Sequence, residues 1–248
     1  MTEAERLAEK LRVSSKILAF TGAGISTGSG IPDFRGPAGV WTKRAPVSFQ
    51  EFMASEDARR EYWEYKLESW HAFRDAKPNA AHRALVDLEK RGKLECVVTQ
   101  NIDGLHQAAG TSAEKLIELH GTNAAVECVA CGKREPPERS MRDFENTREP
   151  PRCLACRELM KPAVVMFGQA LDMELLGRAH GAAERADLVI ALGSSLVVTP
   201  AADVPLSGVR RGTPYVIVNR GETAHDRLAT LRIDDDVSQV LAAALSAI

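Results

Sequence analysis

Apolar residues cluster in four short continuous runs, at 17–20, 96–98, Leu188–Leu192 and Tyr215–Val218, with a weaker fifth at Leu231–Ile233. Such runs lack the alternation of a half-exposed strand. They predict strands covered on both faces, as in a parallel sheet between helices. Between them, at about 79–90, 172–185 and 237–247, apolar positions recur at helical spacing. The opening segment MTEAERLAEKLRVSSK puts Leu7, Ala8 and Leu11 on one side and predicts an amphipathic first helix. Strands alternating with helices predict an α/β fold with a doubly wound parallel sheet.

Two stretches break the pattern. Residues 33–77 hold all three tryptophans and carry no strand signal. Residues 122–164 hold four paired cysteines and the charged, proline-rich piece 134–151. That piece has too few apolar residues for a core of its own, and a bound metal would replace it. Both stretches are expected to be insertions that together form a small domain beside the sheet.

Each strong run ends in a polar or glycine-rich motif. The first leads into Thr21-Gly22-Ala23-Gly24-Ile25-Ser26 and the second into Gln100-Asn101-Ile102-Asp103. The third leads into Gly193-Ser194-Ser195 and the fourth into Asn219-Arg220-Gly221. In open α/β sheets ligands bind beyond the carboxyl ends of the strands. Four decorated ends predict one large ligand lying across the sheet edge.

Composition narrows the class. The chain has 248 residues, 44% hydrophobic and 27% charged, the profile of a soluble globular protein of one large domain or one with a small insertion. A formal net charge of -2 gives no strong basic field for non-specific binding of nucleic acid or anionic lipid. No run approaches the roughly 18 apolar residues of a membrane span. The first segment mixes acids and bases without an apolar centre, so it is not read as a secretory signal. A cytoplasmic location is expected.

The cysteines carry more. Cys128-x-x-Cys131 and Cys153-x-x-Cys156 are separated by 21 residues and fit a four-cysteine zinc site. Two disulfides or redox motifs are the alternatives. Disulfides fit poorly with a chain lacking a signal, and a redox CxxC would occur once. Four thiolates would close a tetrahedral site, so the zinc is expected to be structural. Cys96, in an apolar run, is expected to be a buried core thiol.

Gly22-Ala23-Gly24 begins like a dinucleotide fingerprint, whose glycines let the backbone approach a pyrophosphate. Thr27 stands where the third glycine would be, and no acid closes a second strand. Ordinary dehydrogenase logic is therefore not met, and a plain glycine turn is the simpler alternative. The loop Gly30-Ile31-Pro32-Asp33-Phe34-Arg35-Gly36 could cover a ligand, with Phe34 shielding a reactive centre; an Asp33–Arg35 surface pair is the alternative.

Taken in order, GAGIST-GSGIPDFRG, TQNIDGLH, ELHG, the two CxxC pairs, GSSL and VN resemble the sirtuin family of NAD-dependent protein deacylases. The resemblance covers about 16–237. It implies a Rossmann-like large domain, about 1–34, 78–121 and 165–248. It also implies a small inserted domain, helical at about 35–77 and a zinc ribbon at about 122–164. NAD would bind in the cleft between them, and an acyl-lysine protein or peptide would enter from the other side.

The resemblance also assigns roles. Gly22, Ala23, Gly24 and Ser26 would hold NAD phosphates, with Thr27 beside them. Asp33, Phe34 and Arg35 would lie in the cofactor loop, and Trp41 would contact the cofactor. Gln100, Asn101, Ile102 and Asp103 would surround the ribose and nicotinamide. Gly193, Ser194 and Ser195 would bind phosphate or ribose. Asn219, Arg220 and Gly221, with Val237, would contact the adenosine half. His120, in Glu118-Leu119-His120-Gly121, matches the catalytic histidine, with Asn101 as a second catalytic group. The acyl oxygen would attack the ribose carbon as nicotinamide leaves, and His120 would take the proton of the ribose hydroxyl that attacks next.

The other histidines have lesser expected roles. His106 would support the pocket, and His71, His82, His180 and His225 would be structural or solvent-facing.

Val164-Val165-Met166-Phe167-Gly168 resembles the strand that pairs with the peptide. Gln169 follows, where the family usually has glutamate. Members that remove acidic acyl groups carry a Tyr-x-x-Arg pair. Here the nearest stretch is Tyr62-Trp63-Glu64-Tyr65-Lys66, and only Lys66 could meet a carboxylate, without a bidentate fork. Acetyl and longer neutral groups are therefore expected. Gly36-Pro37-Ala38-Gly39-Val40-Trp41-Thr42 resembles a branch that tolerates long acyl chains. An ADP-ribosyltransferase or NAD hydrolase could use the same pocket if arginine or water replaced the acyl oxygen. A module that only binds NAD or acyl-lysine would not need His120.

Overall fold

The structure is a computed structural model describing residues 1–33 and 45–248. Phe34, Arg35 and Trp41, and the segment 36–42, lie outside the described residues.

In chain order the elements are α1 (Glu3–Val13), β1 (Ile17–Thr21), α2 (Phe49–Ala54), α3 (Glu56–Asp75), α4 (Ala80–Lys90), β2 (Leu94–Thr99), α5 (Leu105–Ala109) and β3 (Leu116–Glu118). There follow β4 (Gly121–Cys128), β5 (Arg134–Glu135), α6 (Pro137–Thr147), β6 (Met160–Val164), α7 (Met173–Arg185), β7 (Leu188–Leu192), α8 (Val204–Val209), β8 (Tyr215–Val218), β9 (Leu231–Ile233) and α9 (Val237–Ser246).

The large sheet is parallel throughout, in the order β3-β2-β1-β7-β8-β9. The apolar runs explain it. In β1, Ile17 and Ala19 enter one core, with Leu7 of α1, Leu85 of α4 and Leu241 of α9. Leu18 and Phe20 enter the opposite core, with Leu176 and Ala179 of α7 and Val204 of α8. Every residue of β1, β7 and β8 is buried, so both faces need apolar side chains. Five of the six strands carry that signal. The sixth, β3, is a three-residue edge strand with one buried position, too short to show a period.

Helix starts follow their caps. Asn79, Asp172 and Asp236 each accept two backbone N–H bonds at the openings of α4, α7 and α9. Each such cap contributes about 1 kcal/mol. Among the described residues no helix is long and apolar enough to cross a membrane.

A second, antiparallel sheet has the order β5-β4-β6. Its core joins both irregular stretches: Phe52 of α2 and Trp63 of α3 pack with Val126, Met141 and Phe144. Trp63 and Phe144 stack tilted, with centroids 6.1 Å apart. The cysteine-bearing stretch thus has a core after all, borrowed from the aromatic helices.

Candidate functional site

Strand register brings the motifs together. Thr21 pairs with Thr99 on one side and Leu192 on the other, and Leu192 pairs with Val218. The next residues, Gly22, Gln100, Gly193 and Asn219, therefore leave the sheet along one edge. The ladder continues through them: Gly22 N donates to Leu192 O (3.0 Å), Gln100 N to Thr21 O (3.0 Å) and Gly193 N to Val218 O (2.9 Å). Strand order reverses between β1 and β7, the switch point at which open α/β sheets bind ligands. A cavity of about 740 Å³ opens there.

Gly22, Ala23, Gly24, Asp33, Gln100, Asn101, Ile102 and His120 line the cavity. Val164 to Gly168, Gly193 to Ser195 and Asn219 to Gly221 line it too. The two glycine loops clasp each other, Gly24 N donating to Gly193 O at 2.8 Å. Gly193 has φ +64°, and a Cβ there would stand 2.3 Å from Ile25 N. Gly193→Ala should therefore cost at least about 2–3 kcal/mol, from αL strain and the forced shift of the facing loop. A urea titration beside Gly92→Ala, which shares a left-handed backbone (φ +70°) but opens onto free space, would isolate the clash, and equal midpoints would refute it.

The second motif is hydrogen-bonded into this edge. Gln100 Nε2 donates to Ser194 Oγ (2.9 Å). Asn101 Nδ2 donates to Gly22 O (3.1 Å) and Ser26 Oγ (3.2 Å). Ser26 Oγ donates to Asp103 Oδ2 (2.7 Å), and Leu105 N donates to Asp103 Oδ1 (2.9 Å). Burial pushes the Asp103 carboxyl up. Ser26, Thr27 and Asp103 do not line the cavity; they hold the groups that do. Thr27 is exposed and its hydroxyl donates to Gly24 O at 3.0 Å.

Val237 stands apart from the other adenosine-end residues. Its side chain is buried in the core beneath β8 and β9, where it opens α9, and it does not line the cavity. An apolar residue just after the Asp236 cap packs inward on the first turn.

His120 follows β3 and precedes β4. Its Nδ1 lies 3.0 Å from Gln100 O, which can only accept. Nδ1 therefore carries the proton and Nε2 the lone pair. Burial lowers the imidazole below its ordinary pKa, against the opposing pull of that carbonyl. The side chain is neutral at neutral pH and able to take a proton.

The segment expected to pair with a peptide is only partly a strand. β6 ends at Val164, and Val165 N donates to His120 O (2.9 Å). Met166 is buried, whereas Phe167 is 42% exposed beside the cavity. Met166 N donates to Gln169 Oε1 at 2.9 Å. The amide oxygen of Gln169 thus supplies the acceptor that closes this turn.

The core role expected for the 62–66 stretch is seen in part. Tyr62 and Trp63 are core, while Tyr62, Tyr65 and Lys66 also line the cavity. Lys66 Nζ donates to Asn123 Oδ1 (3.0 Å) and lies over the Tyr62 and Tyr65 rings. Burial drives its pKa down to about 7, helped by the nearby Lys161 charge. The apolar lining by Val197, Val198, Leu171 and Met173 was missed. Leu171, Val197 and Val198 lie in short loops, which carry no periodic signal, and Met173 opens α7.

The four paired cysteines converge, with all sulfurs within 4.8 Å of one another. Cys128 Sγ lies 3.4 Å from Cys156 Sγ, and Cys131 Sγ 3.8 Å from Cys153 Sγ. A tetrahedron with Zn–S bonds of about 2.3 Å has edges of about 3.8 Å. All four are free thiols, which removes the disulfide alternative. The set fits one zinc ion with no open position. Cys96 is buried, and burial pushes its thiol up to about 12.

Among the remaining histidines, His71 is exposed, His180 Nδ1 meets Ser207 Oγ (2.7 Å) and His225 Nδ1 meets Tyr215 Oη (3.3 Å). His82 and His106 are fully enclosed. Burial, with Arg83 nearby, holds His82 down to about 4; burial, with His82 nearby, holds His106 down to about 3. Both are neutral when folded. The unfolded chain protonates them below about 6.5. Their contribution is thus present above pH 6.5 and lost as pH falls through the window down to these folded values. Each contributes up to about 1.4 kcal/mol per pH unit there. Urea midpoints should be flat from pH 8 to 7 and fall steeply below 6.5. A flat profile down to pH 4.5 would contradict the buried neutral pair.

The Sir2 family profile matches residues 22–200. The chain is similar to an NAD-dependent protein deacetylase of Rhodopseudomonas palustris, 44% identical over 96% of this chain and 94% of that protein. A solved Sir2 structure with a deacetylated p53 peptide and 3'-O-acetyl ADP-ribose superposes with TM-score 0.92 at 40% identity, covering 99% of this chain and 98% of that one. A Sir2 structure with p53 peptide and NAD+ gives TM-score 0.88 at 41% identity, covering 97% and 96%.

Proposed function

The chain belongs to the Sir2 family, and from that premise we propose how its residues carry out the family's reaction. It is an NAD-dependent protein lysine deacylase, chiefly a deacetylase. It transfers the acyl group from lysine to ADP-ribose and releases nicotinamide. One observation carries the reading: the polar ends of β1, β2, β7 and β8 share a single cavity with a neutral His120 and the 164–168 segment.

NAD, the co-substrate, supplies an electrophilic ribose carbon and a leaving group. The residues fit it. Glycine backbone at Gly22, Gly24 and Gly193 permits the close approach that phosphates need. Ala23 and Ser26 belong to the same turn, and Ser194 and Ser195 offer hydroxyls beside it. Gln100, Asn101 and Ile102 face the ribose and nicotinamide end, with Asp103, Ser26 and Thr27 as their supports. Asn219, Arg220 and Gly221 take the adenosine end, and Asp33 lies in the covering loop. His120 Nε2 accepts the ribose hydroxyl proton, because Gln100 O holds the other nitrogen's proton in place. Asn101, held by Gly22 O, orients the reacting end of the pocket.

The acyl-lysine chain enters beside Val164, Val165, Met166, Phe167 and Gly168. Neutral acyl groups suit the far end. Burial holds Lys66 below its ordinary pKa, and its ammonium already donates to Asn123 and offers no bidentate fork, which makes it a poor anchor for a carboxylate. The separate third core supports a small domain at 35–77 and 122–164. The larger domain takes about 1–34, 78–121 and 165–248. A cytoplasmic location is part of this reading, since paired CxxC cysteines gathered as a metal site suit a reducing compartment.

Nicotinamide release, followed by mass spectrometry with NAD and a panel of acyl-lysine peptides, tests this. Peptide-dependent release with acyl-ADP-ribose is the expected result, acetyl first. Release without peptide would favour an NAD hydrolase, and NAD binding without release would leave only a binding module.

A further inference from the structure

Lys161 has no part in the chemistry above, yet the fold encloses its ammonium. It stands in β6 directly opposite Glu127 of β4, and its side chain is 3% exposed. A lysine is seldom sealed away unless it is fully partnered, because taking the charge out of water is costly. An ammonium has three protons to place. Here each has an acceptor: Glu127 Oε1 at 2.8 Å, Pro162 O at 3.2 Å and Val164 O at 2.8 Å. The other carboxylate oxygen of Glu127 accepts from Arg134 Nη2 at 3.0 Å.

The bond to Val164 O bears on the site. Val164 is the last residue of β6, and Val165 lies past the strand. Pairing with β4 is irregular at this end. Gly121 pairs with Val164 and Val126 with Pro162, so residues 122–125 of β4 face Ala163 alone. The peptide unit between Val164 and Val165 is planar, so its carbonyl and its amide turn together. Lys161 Nζ donates to that carbonyl at 2.8 Å, and that amide donates to His120 O at 2.9 Å. The lysine grip is charge-assisted, roughly twice as strong as a neutral hydrogen bond. Farther along, the segment is tied to α2 instead: Phe49 N donates to Phe167 O at 2.8 Å and Gln50 Nε2 to Gly168 O at 3.0 Å. Those ties fix the far end and leave the near end to Lys161 and His120.

We propose that Lys161 is a positioning residue for the peptide substrate: by gripping Val164 O it sets the near end of the 164–168 segment against His120. It does not line the cavity itself and acts only through that backbone. The glycine loops and the β2 motif that face NAD make no contact with it. Its loss should therefore weaken peptide binding and spare NAD binding. The effect on peptide rests on the deacylase reading, while the grip on the peptide unit does not.

Amide hydrogen exchange tests the grip. Lys161→Met keeps the length of the side chain and removes its donor. In that variant the Val165 amide should exchange about tenfold faster than in wild type, the order expected for one lost charge-assisted hydrogen bond. The Val189 amide of β7, which donates to Pro214 O at 3.0 Å, should keep its rate and report that the large sheet is intact. Kinetics test the positioning role. With zinc content unchanged, KM for acetyl peptide should rise about tenfold in Lys161→Met. KM for NAD should stay within about twofold. Lys161→Arg, whose guanidinium can still donate to Glu127 and a carbonyl, should recover most of the loss. Lys161→Gln, polar but too short for the same reach, should repeat both changes and covers the case in which methionine beside Glu127 spoils folding. An unchanged Val165 exchange rate would refute the grip. An equal rise in both KM values, or equal loss in the Met and Arg variants, would reduce Lys161 to a structural lysine and overturn the proposal. A wild type that never releases nicotinamide would sink the deacylase reading and leave the exchange result standing.

Discussion

His120→Ala should lower deacetylation turnover by about 10²–10⁴, the range for losing a positioned general base. NAD affinity should change little, because the His120 imidazole bonds to Gln100 O and not to the glycine loops. Single-turnover product formation and calorimetric NAD binding would separate the two. Full turnover with bound NAD would remove His120 from the chemistry. The pH profile gives a second check. Burial outweighs the Gln100 carbonyl and holds the His120 pKa below its ordinary value. The rate should therefore fall as pH drops through that lowered value, on the acid side of about 6.5. The alanine variant should lose that limb.

Removing zinc should abolish activity while leaving the large sheet folded. A structural zinc contributes about 10–16 kcal/mol in small peptides, so the cysteine end of the small domain loses its main restraint with the metal. The link to catalysis is covalent and short. β4 runs from Gly121, the residue after His120, to Cys128, the first cysteine. Its partner β6 pairs Met160 with Cys128 at one end and Val164 with Gly121 at the other. Val165 N then donates to His120 O. Loosening the cysteine end frees the hairpin that holds His120 and the peptide segment. A strong chelator, or Cys131→Ser, should release one zinc per chain and cancel nicotinamide release, with far-UV helix signal largely kept. Added zinc should restore the chelated wild type. Full activity after proven zinc loss would refute the coupling.

Several features were legible because they are local. Buried parallel strands need apolar residues on both faces, so 17–20, Leu188–Leu192, Tyr215–Val218 and Leu231–Ile233 announced themselves. Helix starts were marked by Asn79, Asp172 and Asp236, whose side chains cap within three residues. The metal site was legible from two CxxC pairs, since four thiols are chemistry that few other environments need. The glycine and polar motifs after each strand identified the cleft and, through their order, the family.

What depended on distant partners was not legible. β3 exists only because β2 offers it an edge. Lys66 loses its charge preference only because the fold buries it beside Lys161. Val237 turns into the core because β8 and β9 lie beneath it. That both His82 and His106 are sealed from water depends on α4 and α5 packing together. The chain alone determined which groups the protein carries to the sheet edge, because backbone periodicity and capping act over a few residues. The tertiary structure decided which of those groups meet, which are desolvated and which proton each holds, because these are set by neighbours tens of residues away.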